Sequence, residues 1–357
     1  MLNTLLKGLN ETYENILIKV PEQEVKVVRN ILQWSAFNVM PMFLDEMYEA
    51  IAIEPDTSWI DEESRLISPH DIIDLCGSLV SVSDHRFVAL AHLSVKEYLL
   101  SDCIRDGKAS NFALTADRAS INIAISCLTY LSFEEFASGP AIGSMSFKER
   151  LRRFPLLEYA AVAWPYHVRQ VGQPQELNER VYKFFSPASR NQFMSWIQVL
   201  TGHEHRNDGW RRYNPASTPL YYAASFGLDK TVRALIKDGA EIDACGGSLG
   251  ATAFHAAVLQ SHREVMDILL EAGADINKED FIKVAPLDLA AYVGDLEIIR
   301  FLLEHGANIG HQDDENLTAY QRALRVGQPK AADLLHEWAR EHGLEEKLAP
   351  HPDSHVS

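Results

Sequence analysis

Apolar residues in the first eighteen positions fall at steps of three and four: Leu2, Leu5, Leu6, Leu9, Tyr13, Ile16 and Leu17, with Asn, Glu and Lys between them. That spacing predicts an amphipathic helix, ended by Pro21. The same period recurs at Val27, Val28, Ile31, Leu32 and Trp34 to Phe37, and again at Leu44, Met47, Tyr48 and Ile51, giving helices over 24–37 and 43–53. Ser68-Pro69 offers an N-cap and a first-turn proline for a helix with Ile72, Ile73 and Leu75. The alternating stretches Leu79 to Val82 and Phe87 to Leu90 flank Asp84-His85 and predict a hairpin. Ser94-Val95-Lys96-Glu97 reads as a capping box opening a helix through Tyr98 to Leu100. Helices followed by a two-stranded wing predict a winged helix.

A different regularity takes over later. The triplets beginning at Thr218, Thr252, Ala285 and Thr318 start 34, 33 and 33 residues apart, and Gly239-Ala240, Gly273-Ala274 and Gly306-Ala307 keep the same step. Two phased series imply repeated units. Thr at the start caps a helix, and Pro219 or Pro286 at its first position gives up only an N–H that lacks a partner there anyway. Ala223-Ala224 and Ala290-Ala291 let neighbouring helices approach, while Gly227, Gly294 and Gly327 close the helix where the chain turns. A second helix follows in each unit, as at Val232, Leu235 and Ile236. These residues resemble the ankyrin repeat at four registers over about 218–339. Where that family has a His after its opening triplet, this chain keeps only His255, with Tyr221, Asp288 and Gln321 elsewhere, so the resemblance leaves three junctions without that histidine's hydrogen bonds.

A second resemblance rests on Leu9 to Glu14, Leu32-Gln33-Trp34, Leu75 to Val80 and His92 to Leu99. Together these are similar to the winged helix that follows the nucleotide-binding NACHT module in fungal NOD-like receptors. Cys127 to Leu131, Pro155 to Ala160 and Trp164 to His167 resemble the helical connector before such receptors' repeats. The resemblance implies a mostly α chain. Its expected parts are an N-terminal helix at 1–20 following a missing NACHT module, a winged helix at 21–105, a helical connector at 106–210, about four ankyrin repeats at 211–342 and a disordered tail at 343–357. It also implies a winged helix that packs on a NACHT module, supplied in cis or in trans, and repeats that detect a trigger. No segment carries the phosphate loop GxxxxGK[ST], since Gly107-Lys108 is followed by Ala109. The chain then reads as a receptor-like portion without its engine, or as a truncated gene product.

Charge narrows the partners. The whole chain carries 50 acidic against 33 basic side chains, for a net charge of −17. Residues 1–105 hold 8 Lys/Arg against 17 Asp/Glu, so a winged helix here would repel a duplex. Residues 218–357 hold 12 against 23, and only 106–217 lean basic, 13 against 10, with clusters at Arg150, Arg152, Arg153, Arg211 and Arg212. Neither nucleic acid nor a membrane is the expected partner. No apolar run is long enough for a span or a signal peptide, and four scattered cysteines without a CxxC fit reduced thiols, so the expected location is cytoplasmic.

Three stretches invite a chemical reading. Gly246-Gly247-Ser248-Leu249-Gly250 fits the serine-hydrolase pattern GxSxG with His255 nearby, but a nucleophile elbow joins a strand to a helix, and this stretch lies between two repeats. A hydrolase with Ser248 as nucleophile is the alternative kept in view. His203-Glu204-His205 lacks the second His of HExxH, and His92 reads as a core or strand-end residue. The expectation is no catalytic residue, no cofactor and no metal.

Binding remains. Stacked repeats leave a concave side of hairpin tips and first-helix residues that the core does not constrain. By register this side carries Phe226, Leu259, Phe281, Ile282, Tyr292, Val293 and Arg325, with Phe226, Phe281 and Tyr292 as aromatic anchors for a protein partner. The competing reading is that each aromatic packs on its neighbouring repeat.

Overall fold

The structure is a computed structural model describing residues 2–204 and 213–348, so Arg211, Arg212 and His205 lie outside the described residues. The chain is mostly α and divides into two compact units, residues 1–213 and 214–357.

The first unit begins with α1 (Leu2–Leu17) and α2 (Val25–Phe37). The wing region follows as β1 (Met42–Phe43), α3 (Leu44–Ile51), α4 (Asp71–Cys76), β2 (Val80–Val82), β3 (Phe87–Leu90) and α5 (Leu93–Leu100). The expected hairpin is present but gains a third strand, in the antiparallel order β1-β3-β2, with Met42 opposite Val88 and Val80 opposite Leu90. Two residues are too few for a period-2 pattern to register, which is why β1 escapes the sequence. Two caps also differ from expectation. His92, exposed at the strand end rather than in the core, caps α5 by accepting the Ser94 N–H at 3.2 Å, and α4 starts at Asp71 rather than beside Ser68-Pro69.

α6 (Asp102–Asp106), α7 (Ala116–Leu131), α8 (Ser144–Arg153), α9 (Leu157–Gln170), α10 (Gln175–Phe185) and α11 (Arg190–Glu204) complete this unit. The division expected at 105/106 falls inside one packed body. Asn122 donates to Gln33 at 2.9 Å, Trp34 stands edge-on to Tyr159 at 5.7 Å, and the Tyr130 hydroxyl meets the buried Glu49 carboxylate, which also pairs with Arg65 at 3.1 Å. Burial pushes Glu49 up from its ordinary value against the pull of Tyr130 and Arg65. Pro165 sits inside α9 and has no N–H for the Ala161 carbonyl one turn earlier. Trp196 supplies the donor from α11 at 2.9 Å, and its ring joins Trp164, Phe184, Phe185 and Phe193 in one aromatic core. One lost backbone bond thus fixes where α11 docks.

The second unit stacks four helix pairs: α12 (Pro219–Ser225) with α13 (Asp229–Lys237), α14 (Ala253–Leu259) with α15 (Arg263–Glu271), α16 (Pro286–Val293) with α17 (Leu296–Glu304), and α18 (Ala319–Arg325) with α19 (Pro329–Glu341). The apolar stripes on the second helices are buried, among them Val232, Leu235, Val265, Leu269, Ile298 and Leu302. The segment expected as a tail from 343 is folded in its first part, because Glu345–Leu348 form a 3-10 turn that buries Leu348.

Candidate interaction surface

Each repeat opens on a capped helix. The Thr218, Thr252 and Thr318 hydroxyls accept the N–H three residues on, at 3.2 to 3.5 Å. Ala285 has no hydroxyl, and there Asp288 closes the turn from the other side by accepting the Ala285 N–H at 2.8 Å. Gly227, Gly294 and Gly327 take positive φ at the helix ends, and Ser261 holds that conformation in the second repeat.

The hairpin tips are built alike. Leu249, Lys283 and Asn316, two or three residues before the N-cap of each following first helix, all adopt positive φ. Asp280 Oδ1 accepts the N–H groups of Ile282 and Val284 at 2.9 and 2.8 Å, and Asp313 Oδ1 accepts those of Glu315 and Leu317 at 2.9 and 3.0 Å. Adjacent tips are then tied together: Phe281 N–H donates to the Leu249 carbonyl at 2.7 Å, and Asp314 N–H to the Ile282 carbonyl at 3.3 Å. Side chains on this ladder have their backbone positions fixed before any partner arrives, which lowers the ordering cost of binding.

Of the residues expected on this face, Phe281 is 76% exposed and Tyr292 52%, while Leu259 and Val293 are exposed to lesser degrees. Phe226 and Ile282 are half-buried, the Phe226 ring lying 6.4 Å from that of Tyr222. Arg325 is exposed but ion-paired with Glu315. Phe281 also rests one edge on the preceding repeat, since a Cβ at Gly250 would come within 2.5 Å of its ring. Packing and exposure therefore coexist at that residue. Leu249 and Leu324 are large exposed apolar residues that the repeat register does not mark for this face. Leu324 has a signal in the sequence, because it breaks the Ala-Ala pairs of the earlier first helices, after Ala323. Leu249 falls in the one irregular repeat step, where register has no hold.

The GxSxG stretch has a packing explanation. Gly246 and Gly247 lie against Thr218 and Tyr221, where a Cβ would come within 2.1 and 2.3 Å of those side chains, and both N–H groups donate to the Ala251 carbonyl. His255 is not a base for Ser248: Nδ1 accepts the Thr252 N–H at 3.2 Å and Nε2 faces the Val284 carbonyl at 3.1 Å. Burial pushes the Cys76 thiol up to about 12 and Cys127 higher still, the opposite of an activated nucleophile. Among the described residues no group of three His, Cys, Asp or Glu could hold a metal, and no helix is long and apolar enough to cross a membrane. The first unit holds a hollow of about 760 Å³ in which the Arg180 guanidinium lies beside Asp56 and holds that carboxyl below its ordinary value.

Comparison with known families agrees with these two architectures. Residues 17–115 match the winged helix domain of GPI inositol-deacylase, and residues 188–280 and 269–323 match ankyrin repeats. The first ankyrin match reaches back into α11, which the structure packs in the other unit. The chain is 31% identical to azaphilone pigments biosynthesis cluster protein L of Monascus ruber over 299 residues, covering 77% of this chain and 61% of that one. It is 34% identical to mouse (Mus musculus) ankyrin repeat and SOCS box protein 6 over 110 residues, 30% of this chain and 26% of the relative. It is 29% identical to the E3 ubiquitin-protein ligase KEG of Arabidopsis thaliana over 134 residues, 36% of this chain and 8% of the relative. The chain thus spans less than two thirds of each of these relatives. Its two architectures are a winged helix of the GPI-inositol-deacylase type and, after it, an array of ankyrin repeats.

Proposed function

We propose that this chain is the protein-recognition portion of a NOD-like-receptor-type signalling protein, non-enzymatic and acting in the cytoplasm, with a NACHT module as its partner in cis or in trans. The protein ligand docks on the hairpin tips and first-helix ends through Phe281, Ile282, Tyr292, Leu259, Val293, Phe226 and Arg325. The observation that carries the reading is Phe281: its backbone is pinned to Leu249 at 2.7 Å, yet three quarters of the residue faces solvent. An exposed, preorganised aromatic is what interface hot spots are made of. The acidic balance of the region, 12 basic against 23 acidic side chains over 218–357, favours a neutral or basic ligand.

The test is a pull-down from host lysate with the full chain and a Phe281→Ala/Tyr292→Ala variant whose melting is unchanged. Loss of a hot-spot aromatic costs about 2 kcal/mol or more in binding, so retained proteins should fall away from the variant. Equal retention of every partner by the folded variant would end this reading.

A further inference from the structure

The junction between the third and fourth repeats is closed by a cluster of ionisable side chains. His311, in the hairpin that leads to α18, places Nδ1 2.9 Å from Asp288 Oδ2 and Nε2 3.1 Å from Glu279 Oε1. Asp288 is 1% exposed, its Oδ2 also accepts the Ala285 N–H, and its Oδ1 is buried without a hydrogen-bond partner. Ionised carboxylates only accept, and a neutral imidazole donates through one nitrogen alone. Both contacts are hydrogen bonds only when His311 carries two protons or a carboxyl carries one.

We propose that His311 is a proton-dependent clasp: its imidazolium bridges Asp288 and Glu279, and loss of that proton loosens the third and fourth hairpin tips. The surrounding charges fit. From α16 comes Asp288 and from the preceding hairpin Glu279, with Asp280 already committed to two backbone N–H groups. From its own hairpin Asp313 adds negative charge, tied to Arg322 of α18. On the α14 side His255 faces the Val284 carbonyl, and the Lys347 stem from the C-terminal turn lies over Gly310. The two carboxylates raise His311 above its ordinary 6.5, and burial raises Asp288, so both effects keep a proton in the cluster.

A folded-state value above the unfolded one means that the clasp is at full strength below pH 6.5 and is lost as pH rises through the folded value. Phe281 and Ile282 sit on one of the tips it holds, and Asp314 and Glu315 on the other. Only one further consequence, a ligand affinity that falls with rising pH, rests on the function proposed above. The clasp itself can be tested without a ligand.

The experiment is a histidine NMR titration of the full chain, with His311 assigned among the 14 histidines by its disappearance in His311→Gln. The expected result is a His311 midpoint above 6.5 that drops in Glu279→Gln, a half-exposed position whose loss leaves the core intact. Amide exchange at Ala285 and Leu317, corrected for the intrinsic rate, should lose protection as pH rises from about 6 through the His311 midpoint, by about tenfold for every pH unit that separates the folded from the unfolded midpoint. In His311→Gln that pH response should vanish. A wild-type midpoint at or below 6.5, or a midpoint that Glu279→Gln leaves in place, overturns the clasp. So does an equal pH response in His311→Gln. Should His311→Gln fail to fold, the Glu279→Gln titration still decides.

Discussion

Two neighbouring junctions in the repeat array solve one problem with opposite chemistry. Between the second and third repeats the link is His255, 1% exposed, whose Nδ1 accepts the Thr252 N–H and whose Nε2 therefore donates to the Val284 carbonyl. One neutral imidazole satisfies everything around it, and burial lowers its pKa below 6.5. Between the third and fourth repeats Asp288 occupies the equivalent slot and the imidazole comes from the far side, from His311, with two carboxylates against it. The first junction is at full strength above pH 6.5 and weakens as acid protonates the unfolded chain preferentially. The second weakens as base removes its proton. The same helix-hairpin geometry can thus be closed by a neutral donor or by a charged cluster, and the choice sets the direction of the pH response.

The sharpest way to break the comparison is His255→Ala. It leaves the Thr252 N–H buried without a partner, takes from the Val284 carbonyl the second of its two donors while the Asp280 N–H stays at 3.0 Å, and opens a cavity, so the repeat unit should lose about 3 kcal/mol. Urea unfolding followed by amide exchange within 214–348 measures it. A loss under about 1 kcal/mol would mean that His255 is not what joins these repeats.

How much of this could be read from the sequence depends on how local each cause is. The 33-residue step is visible because glycine, alanine and threonine recur wherever a turn, a close approach or a cap demands them, as at Gly294, Ala290 and Thr318. The ladder between tips leaves no side-chain signature, since Phe281 and Leu249 are joined through backbone atoms. Pro165 signals a missing bond, but nothing in the sequence says that Trp196, 31 positions on, supplies the donor. The Asp288–His311 pair lies between. Asp288 in a histidine slot was legible as a departure, yet its partner 23 residues away emerges only when the chain folds.

A third histidine sharpens the acid side of the comparison. His167 in α9 is fully buried, both its ring nitrogens lack hydrogen-bond partners, and burial pulls its value down to about 4. Unlike His255 it closes no junction, so its acid sensitivity is pure desolvation. The unfolded chain binds a proton near 6.5 and the folded chain does not until about 4, so stability falls as pH drops through that window. At pH 5 the first unit should have lost about 2 kcal/mol from this residue alone. His167→Leu should remove that part of the acid limb, leaving the slope due to carboxylates. Identical pH profiles for wild type and variant between 6.5 and 5 would show that the site takes up a proton without unfolding.

The smallest effect should separate the two carboxylates of the charged junction. Glu279 is about half exposed, so its contact with His311 is screened by water and is worth about 0.5 kcal/mol. Asp288 is buried, bonds the helix N-terminus as well, and cannot be removed without orphaning the Ala285 N–H. Glu279→Gln is therefore the clean probe: the amide keeps the shape and loses only the charge. Its destabilisation should be larger at pH 6, where the imidazolium is present, than at pH 8.5, because His311 gives up its proton as pH rises through its raised midpoint. The neutral junction supplies the control, because His255 has both its nitrogens on backbone and hydroxyl partners and should show the same exchange protection in variant and wild type at either pH. A destabilisation that is equal at pH 6 and 8.5 would make Glu279 a packing neighbour of His311 instead of its counter-charge.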